Sequence, residues 1–396
     1  MIRALIAPRR YVQGAGALAE AGKLVARIGT RALLVQGPRV REAVGAAVTE
    51  SLDRAGVLAL PFDFSGECTR AQAARGSQEA RARDATVVLG VGGGKACDLA
   101  KAIAAGAGLP SAMIATIAST DAPTSACSVY YTDDGVLDGW DLWPTNPDLV
   151  LADTQVIASA PPRWLVSGMG DALATWFEAE AAAKGDRVAF SGGVPTMAAL
   201  AMARLCCDTL VEHGREAKAD AERHEVTPAL DRVVEATVLL SGLGWESGGL
   251  ATAHAIGNGL TLLPATHERS HGEKVSFGLA TQLHLDPSVS PAIRDRILSL
   301  LVDLGLPVTL RELGLADATS DELQAFAVGV AAPGSFVHNH PFTVTGDALW
   351  TAMVTADATG RARLSKRAAS GGGSSPRGSS NQTIVGRAVG DQRERK

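Results

Sequence analysis

The chain has 396 residues, 46% hydrophobic and 20% charged, a globular composition at a length that favours two domains over one. A net charge of −5 and a pI near 5.9 argue against nucleic acid or an anionic membrane as a partner. The opening residues carry an apolar run too short for a signal peptide and no stretch approaches a bilayer-spanning length, so a cytoplasmic protein is expected.

Short apolar runs alternate with amphipathic helices up to about residue 160. Residues 31–36, 57–62, 85–91 and 111–116 read as strands, and residues 40–56, 72–83 and 95–105 as the helices between them. Apolar strands separated by helices predict a parallel sheet covered on both faces. From Arg163 onward the spacing turns helical, with long Ala/Leu-rich stretches at 198–213, 227–242 and 291–304. The expected fold class is therefore an α/β dinucleotide-binding domain over residues 1–160, then an all-α domain over residues 161–365. Residues 366–396 are rich in Gly, Ser and Arg, and are expected to be disordered and without chemistry. The five cysteines form no CxxC pair and read as small buried hydrophobes, which supports neither a disulfide framework nor a thiolate zinc site.

Residues 87–98 read as a strand, a glycine turn (Gly92-Gly93-Gly94) and a helix start. Glycines there let backbone N–H groups approach a pyrophosphate while the helix N-terminus adds its dipole. Leu89 and Ala96 stand where a Walker A loop needs Gly and Ser/Thr, and the spacing is not that of a standard Rossmann fingerprint. A second loop after a strand, residues 116–125, is dense in hydroxyls and holds one carboxylate, Asp121. By itself it also fits a capped turn.

Three residues stand out as metal ligands. Asp171 follows glycines and sits in an apolar helical segment, read as that helix's first turn. His254 lies in a helix of small and apolar residues, and His271 precedes Gly272 and Glu273. One histidine alone is usually a satisfied core residue. One carboxylate with two imidazoles makes a poor core and suits zinc with an open position. Thr175 lies one helical turn after Asp171, where a histidine could have been a fourth ligand favouring iron. His213 and His224 read as surface residues, His267 and His284 have no assigned place, and the loop 336–341 reads as a turn or as an approach to the site.

Five segments together resemble the glycerol dehydrogenases, the typically zinc-using branch of the iron-containing (metal-dependent) alcohol dehydrogenase superfamily. They are Gly92-Gly93-Gly94-Lys95, residues 116–123, 170–179 and 246–251, and His271-Gly272-Glu273-Lys274-Val275. The likeness runs from Pro8 to about Arg363 and implies a dehydroquinate synthase-like fold. It implies Asp171, His254 and His271 as metal ligands and Asp121 as the group facing the substrate hydroxyls. It sets Gly93, Gly94, Lys95, Asp98, Thr116 and Ser119 along the NAD cofactor, with Ser125, Cys127 and Tyr131 further around it. It also implies a homo-oligomer, commonly an octamer, and oxidation of glycerol or a related small vicinal diol with hydride transfer to NAD.

Two positions depart from the pattern. Cys127 replaces a usual leucine. Gly37 replaces the acidic residue that grips the adenine ribose, and with Arg39 nearby this predicts weaker NAD binding or partial NADP tolerance. Glycerol-phosphate dehydrogenases and sugar-phosphate cyclases of the same superfamily need more basic residues near the metal than Lys274 and Arg269. A non-catalytic scaffold would have no reason to keep all three ligands. Trp245 reads either as narrowing the pocket toward small substrates or as a helix-packing residue.

Overall fold

The computed structural model describes residues 1–64 and 66–371. Its sheet is parallel throughout, in the order β1-β8-β5-β4-β2-β3. The chain lays down β1 (Tyr11–Gly14), α1 (Ala21–Val25), β2 (Arg31–Gln36), α2 (Pro38–Arg54), β3 (Leu58–Asp63), α3 (Arg70–Ala82), β4 (Val87–Gly92), α4 (Gly94–Ala107) and β5 (Ser111–Ala115). An antiparallel hairpin, β6 (Cys127–Tyr131) with β7 (Leu137–Leu142), precedes β8 (Leu149–Asp153).

Every residue of β4 and β8 is buried, which is why those runs are continuously apolar. Helices α1 and α2 cover one face of the sheet while α3 and α4 cover the other. Strands β2 and β4 are neighbours, yet the helices that leave them pass to opposite faces. A crevice therefore opens beyond their carboxyl ends, the usual ligand position in such sheets. Residues 37 and 92–94 sit at that crevice.

After β8 the elements are helical: α5 (Thr154–Ser159), α6 (Arg163–Lys184), α7 (Met197–Glu222), α8 (Pro228–Glu235), α9 (Ser241–Gly248), α10 (Thr252–Leu260), α11 (His271–Leu285), α12 (Pro291–Leu304), α13 (Ser320–Val330) and α14 (Gly346–Gly371). Their core includes Val150 and Ala152 of β8, so apolar packing continues from sheet to helices.

Several expectations need correction. Strands β1 and β8 and the hairpin lie outside the predicted strands. The stretch 227–242 is not one helix: a five-residue π turn, Ala236–Leu240, separates α8 from α9. Asp171 lies two turns inside α6, not in its first turn. Helix α14 runs to Gly371, beyond the expected start of the tail at residue 366; residues 372–396 lie outside the described residues.

Candidate active site

A cleft of about 1140 Å³ lies between the sheet's carboxyl edge and the helices. Gly37, Gly92, Gly93, Gly94, Asp121, Asp171, His254 and His271 all line it. Asp171 comes from the middle of α6, where glycines permit close contact. A Cβ on Gly168 would stand 2.0 Å from the Ala118 carbonyl oxygen, and one on Gly272 would stand 1.7 Å from that of Ser167. These clashes exclude any side chain, so α6 seats directly on the 116–125 loop and on the start of α11. His271 opens α11, whose N-terminus is closed by a reciprocal cap between Ser270 and Glu273.

His254 is placed differently. The residue before α10, Ala251, has no capping side chain, so Glu178 of α6 supplies the acceptor from 76 positions upstream. Glu178 Oε1 accepts the Ala251 N–H at 2.8 Å and the His254 N–H at 2.9 Å, while Oε2 accepts from His254 Nδ1. A fully buried carboxylate can only accept here, so Nδ1 carries the ring proton. Burial opposes it, but Glu178 and Asp171 hold the His254 imidazole well above its ordinary range, so Nε2 also carries a proton and donates to Asp171 at 3.1 Å; a bound metal would take that proton's place while Glu178 keeps Nδ1–H. Asp171 Oδ1 lies 3.1 Å from His254 Nε2 and 3.3 Å from His271 Nε2. One ligand atom from each of the three residues falls within 4.8 Å of the others, so the donor set fits a divalent metal. Asp171 and His254 are buried and the His271 side chain is 29% exposed, which leaves the centre open to the cleft on one side.

Burial pushes the Asp171 carboxyl up, but the two imidazoles beside it prevail and hold it well below the usual carboxylate range. Asp121 goes the other way. Burial and the nearby Asp171 charge push it up to about 7, against hydrogen bonds from Ser241 and Trp245. Ser241 Oγ donates to Asp121 Oδ2 and lies 3.0 Å from Thr175 Oγ1. Thr175 is thus engaged away from the triad in a buried hydroxyl chain that ends on Asp121.

The other predicted residues fall as follows. Gly93 caps α4, and Lys95, Ser119, Ser125, Cys127 and Tyr131 line the cleft. Thr116 does not line it; its N–H donates to the Gly92 carbonyl at 3.1 Å and continues the ladder between β4 and β5. Lys95 pairs with Glu67 at the cleft wall. Asp98 also lines the cleft, but its carboxylate is held by buried Lys101 at 2.9 Å and by the Val129 N–H. Lys101 in turn donates to the carbonyls of Ala122, Ser125 and Cys127, which ties the substrate-side loop and β6 to α4.

A Cβ on Gly37 would meet nothing within 4 Å. Trp245 packs edge-on against Phe190, ring centres 5.0 Å apart, and both line the cleft. Of the remaining histidines only His267 lines it, at an exposed position. His224 is exposed as expected and His213 is half-buried. In the 336–341 loop Phe336 reaches the cleft, while His340 is buried against Thr252 Oγ1 at 2.9 Å. All five cysteines are buried and free.

Residue reading missed Glu178 and Ser241. It also missed Glu246, whose buried carboxylate accepts from Ala126 N–H and from Asn146 Nδ2, and which burial pushes up to about 7. A buried acid needs partners, and an acid on an otherwise apolar helix face was the available signal.

Residues 8–154 match the model of the iron-containing alcohol dehydrogenase family. A glycerol dehydrogenase of Pseudomonas putida is 43% identical over 91% of this chain and 99% of its own length. One of Thermotoga maritima is 44% identical over 92% of this chain and 99% of its own. The crystal structure of glycerol dehydrogenase from Schizosaccharomyces pombe superposes with a TM-score of 0.86 at 35% identity, covering 93% of each chain.

Proposed function

The chain belongs to the iron-containing alcohol dehydrogenase family, and from that premise we propose that it oxidises glycerol, or a related small vicinal diol, to a hydroxyketone such as dihydroxyacetone with hydride transfer to NAD. The observation that carries this reading is the Asp171–His254–His271 triad facing buried Asp121 in one cleft with the glycine turn.

Asp171, His254 and His271 would hold a divalent metal, which would supply Lewis acidity to a substrate hydroxyl. Glu178 fixes the His254 tautomer and ring plane, so that Nε2 is available as a ligand. Asp121, oriented by Ser241, accepts a hydrogen bond from the neighbouring hydroxyl of the diol and sets its approach. Trp245, Phe190 and Leu250 wall the cleft with apolar surface and keep water from the reacting carbon. The Gly92–Gly94 turn at the start of α4 receives the cofactor's phosphates.

Three ligands, with Thr175 engaged elsewhere, favour zinc over iron. Gly37 itself offers no carboxylate to the adenine ribose, which favours weaker NAD binding or partial tolerance of NADP. A cytoplasmic homo-oligomer, an octamer by the same kinship, completes the proposal. Among the described residues no helix is long and apolar enough to cross a membrane.

The test is cofactor reduction by the zinc-loaded full chain with glycerol, 1,2-propanediol and 2,3-butanediol, and NADH oxidation in the reverse direction with hydroxyacetone. Absence of diol-dependent reduction of NAD or NADP, or full activity after thorough chelation, refutes the reading.

A further inference from the structure

Lys274 stands one helical turn beyond His271 on α11 and lines the same cleft. Only 7% of the residue is exposed, yet its ammonium is not sealed off: it opens on the cleft, and among the described residues no hydrogen-bond acceptor engages it. The adjacent Glu273 carboxylate is occupied by the Ser270 N–H and by Arg269. Burial holds the Lys274 ammonium below the ordinary lysine range, against the attraction of Glu273 and with Lys95 across the cleft adding repulsion. An ammonium that opens on a cleft, with no direct acceptor and with its one neighbouring carboxylate already shared, presents positive charge to whatever enters and favours an anion there.

The reaction proposed above identifies that anion by class. Diols and hydroxyketones are neutral, so the substrate brings no counter-charge. The metal is a cation. The doubly charged diphosphate of the dinucleotide is the remaining candidate, and the nearby N-terminus of the 14-residue α4 already offers backbone N–H groups and a positive dipole. Lys95, the lysine that the family resemblance sets along the cofactor, is paired with Glu67.

We propose that Lys274 is a cofactor-positioning residue, a cleft-facing ammonium that reaches from the helical half of the protein to the diphosphate held by the glycine turn. Cofactor binding would then neutralise the Lys274 ammonium. This inference rests on the dinucleotide reading.

The test is equilibrium binding, by titration calorimetry on the full-length zinc-loaded protein, of NADH, ADP-ribose and adenosine over a range of salt concentrations. Lys274→Met is expected to weaken ADP-ribose and NADH roughly ten- to hundredfold, to flatten the salt dependence, and to leave adenosine unchanged. Lys274→Arg should keep most of the affinity. Metal content and thermal midpoint are measured for each variant, and Lys274→Gln replaces the methionine variant if that one does not fold. Equal ADP-ribose affinity in wild type and variant overturns the proposal. So does a variant that loses only competitive inhibition by glycerate or glycerol phosphate, because Lys274 would then serve an anionic substrate. If the wild type itself fails to bind ADP-ribose, the dinucleotide reading has failed instead.

Discussion

Glu178→Gln isolates what the Glu178 carboxylate does for His254. In the native protein Oε2 accepts from Nδ1, and Oε1 accepts two backbone N–H groups at 2.8 and 2.9 Å. A glutamine of the same shape cannot meet both demands. If its amide nitrogen faces Nδ1, the ring proton moves to Nε2 and points at the metal position. If it turns the other way, its NH2 confronts the N–H groups of Ala251 and His254. Loss of such a partner typically lowers metal affinity by 10- to 100-fold, and a buried polar group left unsatisfied costs about 1–3 kcal/mol. The expected result is therefore a zinc affinity lowered by one to two orders of magnitude, with a fold that survives. Competition with a chelator of known affinity measures the first, and urea unfolding of the metal-free protein the second. Glu178→Ala should lose more stability, since it leaves both N–H groups orphaned. Zinc affinity within twofold of wild type in the glutamine variant would refute the reasoning.

Other outcomes follow from the same geometry. Lys101→Met removes the cation from buried Asp98 and from three loop carbonyls, so unfolding stability should drop by roughly 3–5 kcal/mol, much of it regained in the double variant with Asp98→Asn; a loss below about 1 kcal/mol in urea melts would contradict this. Glu246 is held near 7 in the folded state against an ordinary 4.5, so the folded protein binds that proton more tightly than the unfolded chain. Its contribution is fully present below about pH 4.5 and is lost as pH rises through 7, about 3 kcal/mol in all; Glu246→Gln should flatten that part of a stability–pH curve. Gly37→Asp fits without a clash and should raise the NAD over NADP preference at least about tenfold. A strong wild-type NAD preference that the substitution leaves unchanged in steady-state rates would exclude a role for Gly37.

Local pattern revealed the strand–helix alternation because buried parallel strands are apolar on both faces, and β2, β4 and β5 match their predicted runs within a residue or two. It missed β1, which has four half-buried residues and no run to detect. It also joined α8 to α9, since a π turn keeps helical spacing while adding a residue to the turn. The three candidate ligands were recognisable as residue types out of place, and their convergence was not. Asp171 and His254 meet across 83 positions, and Ser241 meets Asp121 across 120. Such pairings depend on how whole helices pack. Glu178 was hidden for the same reason: a cap borrowed from another helix leaves no trace near the helix it closes.

Gly168 and Gly272 bear on how freely this sequence can vary. Their backbones lie where a single added carbon would fall 2.0 and 1.7 Å from a carbonyl oxygen. The separation of Asp171 from His271 is therefore inherited from main-chain contact and exists before any ion arrives. In a saturation mutagenesis of the chain these two positions should tolerate substitution as poorly as the ligands themselves. Drift at the metal centre is thus confined by residues that offer no chemistry at all.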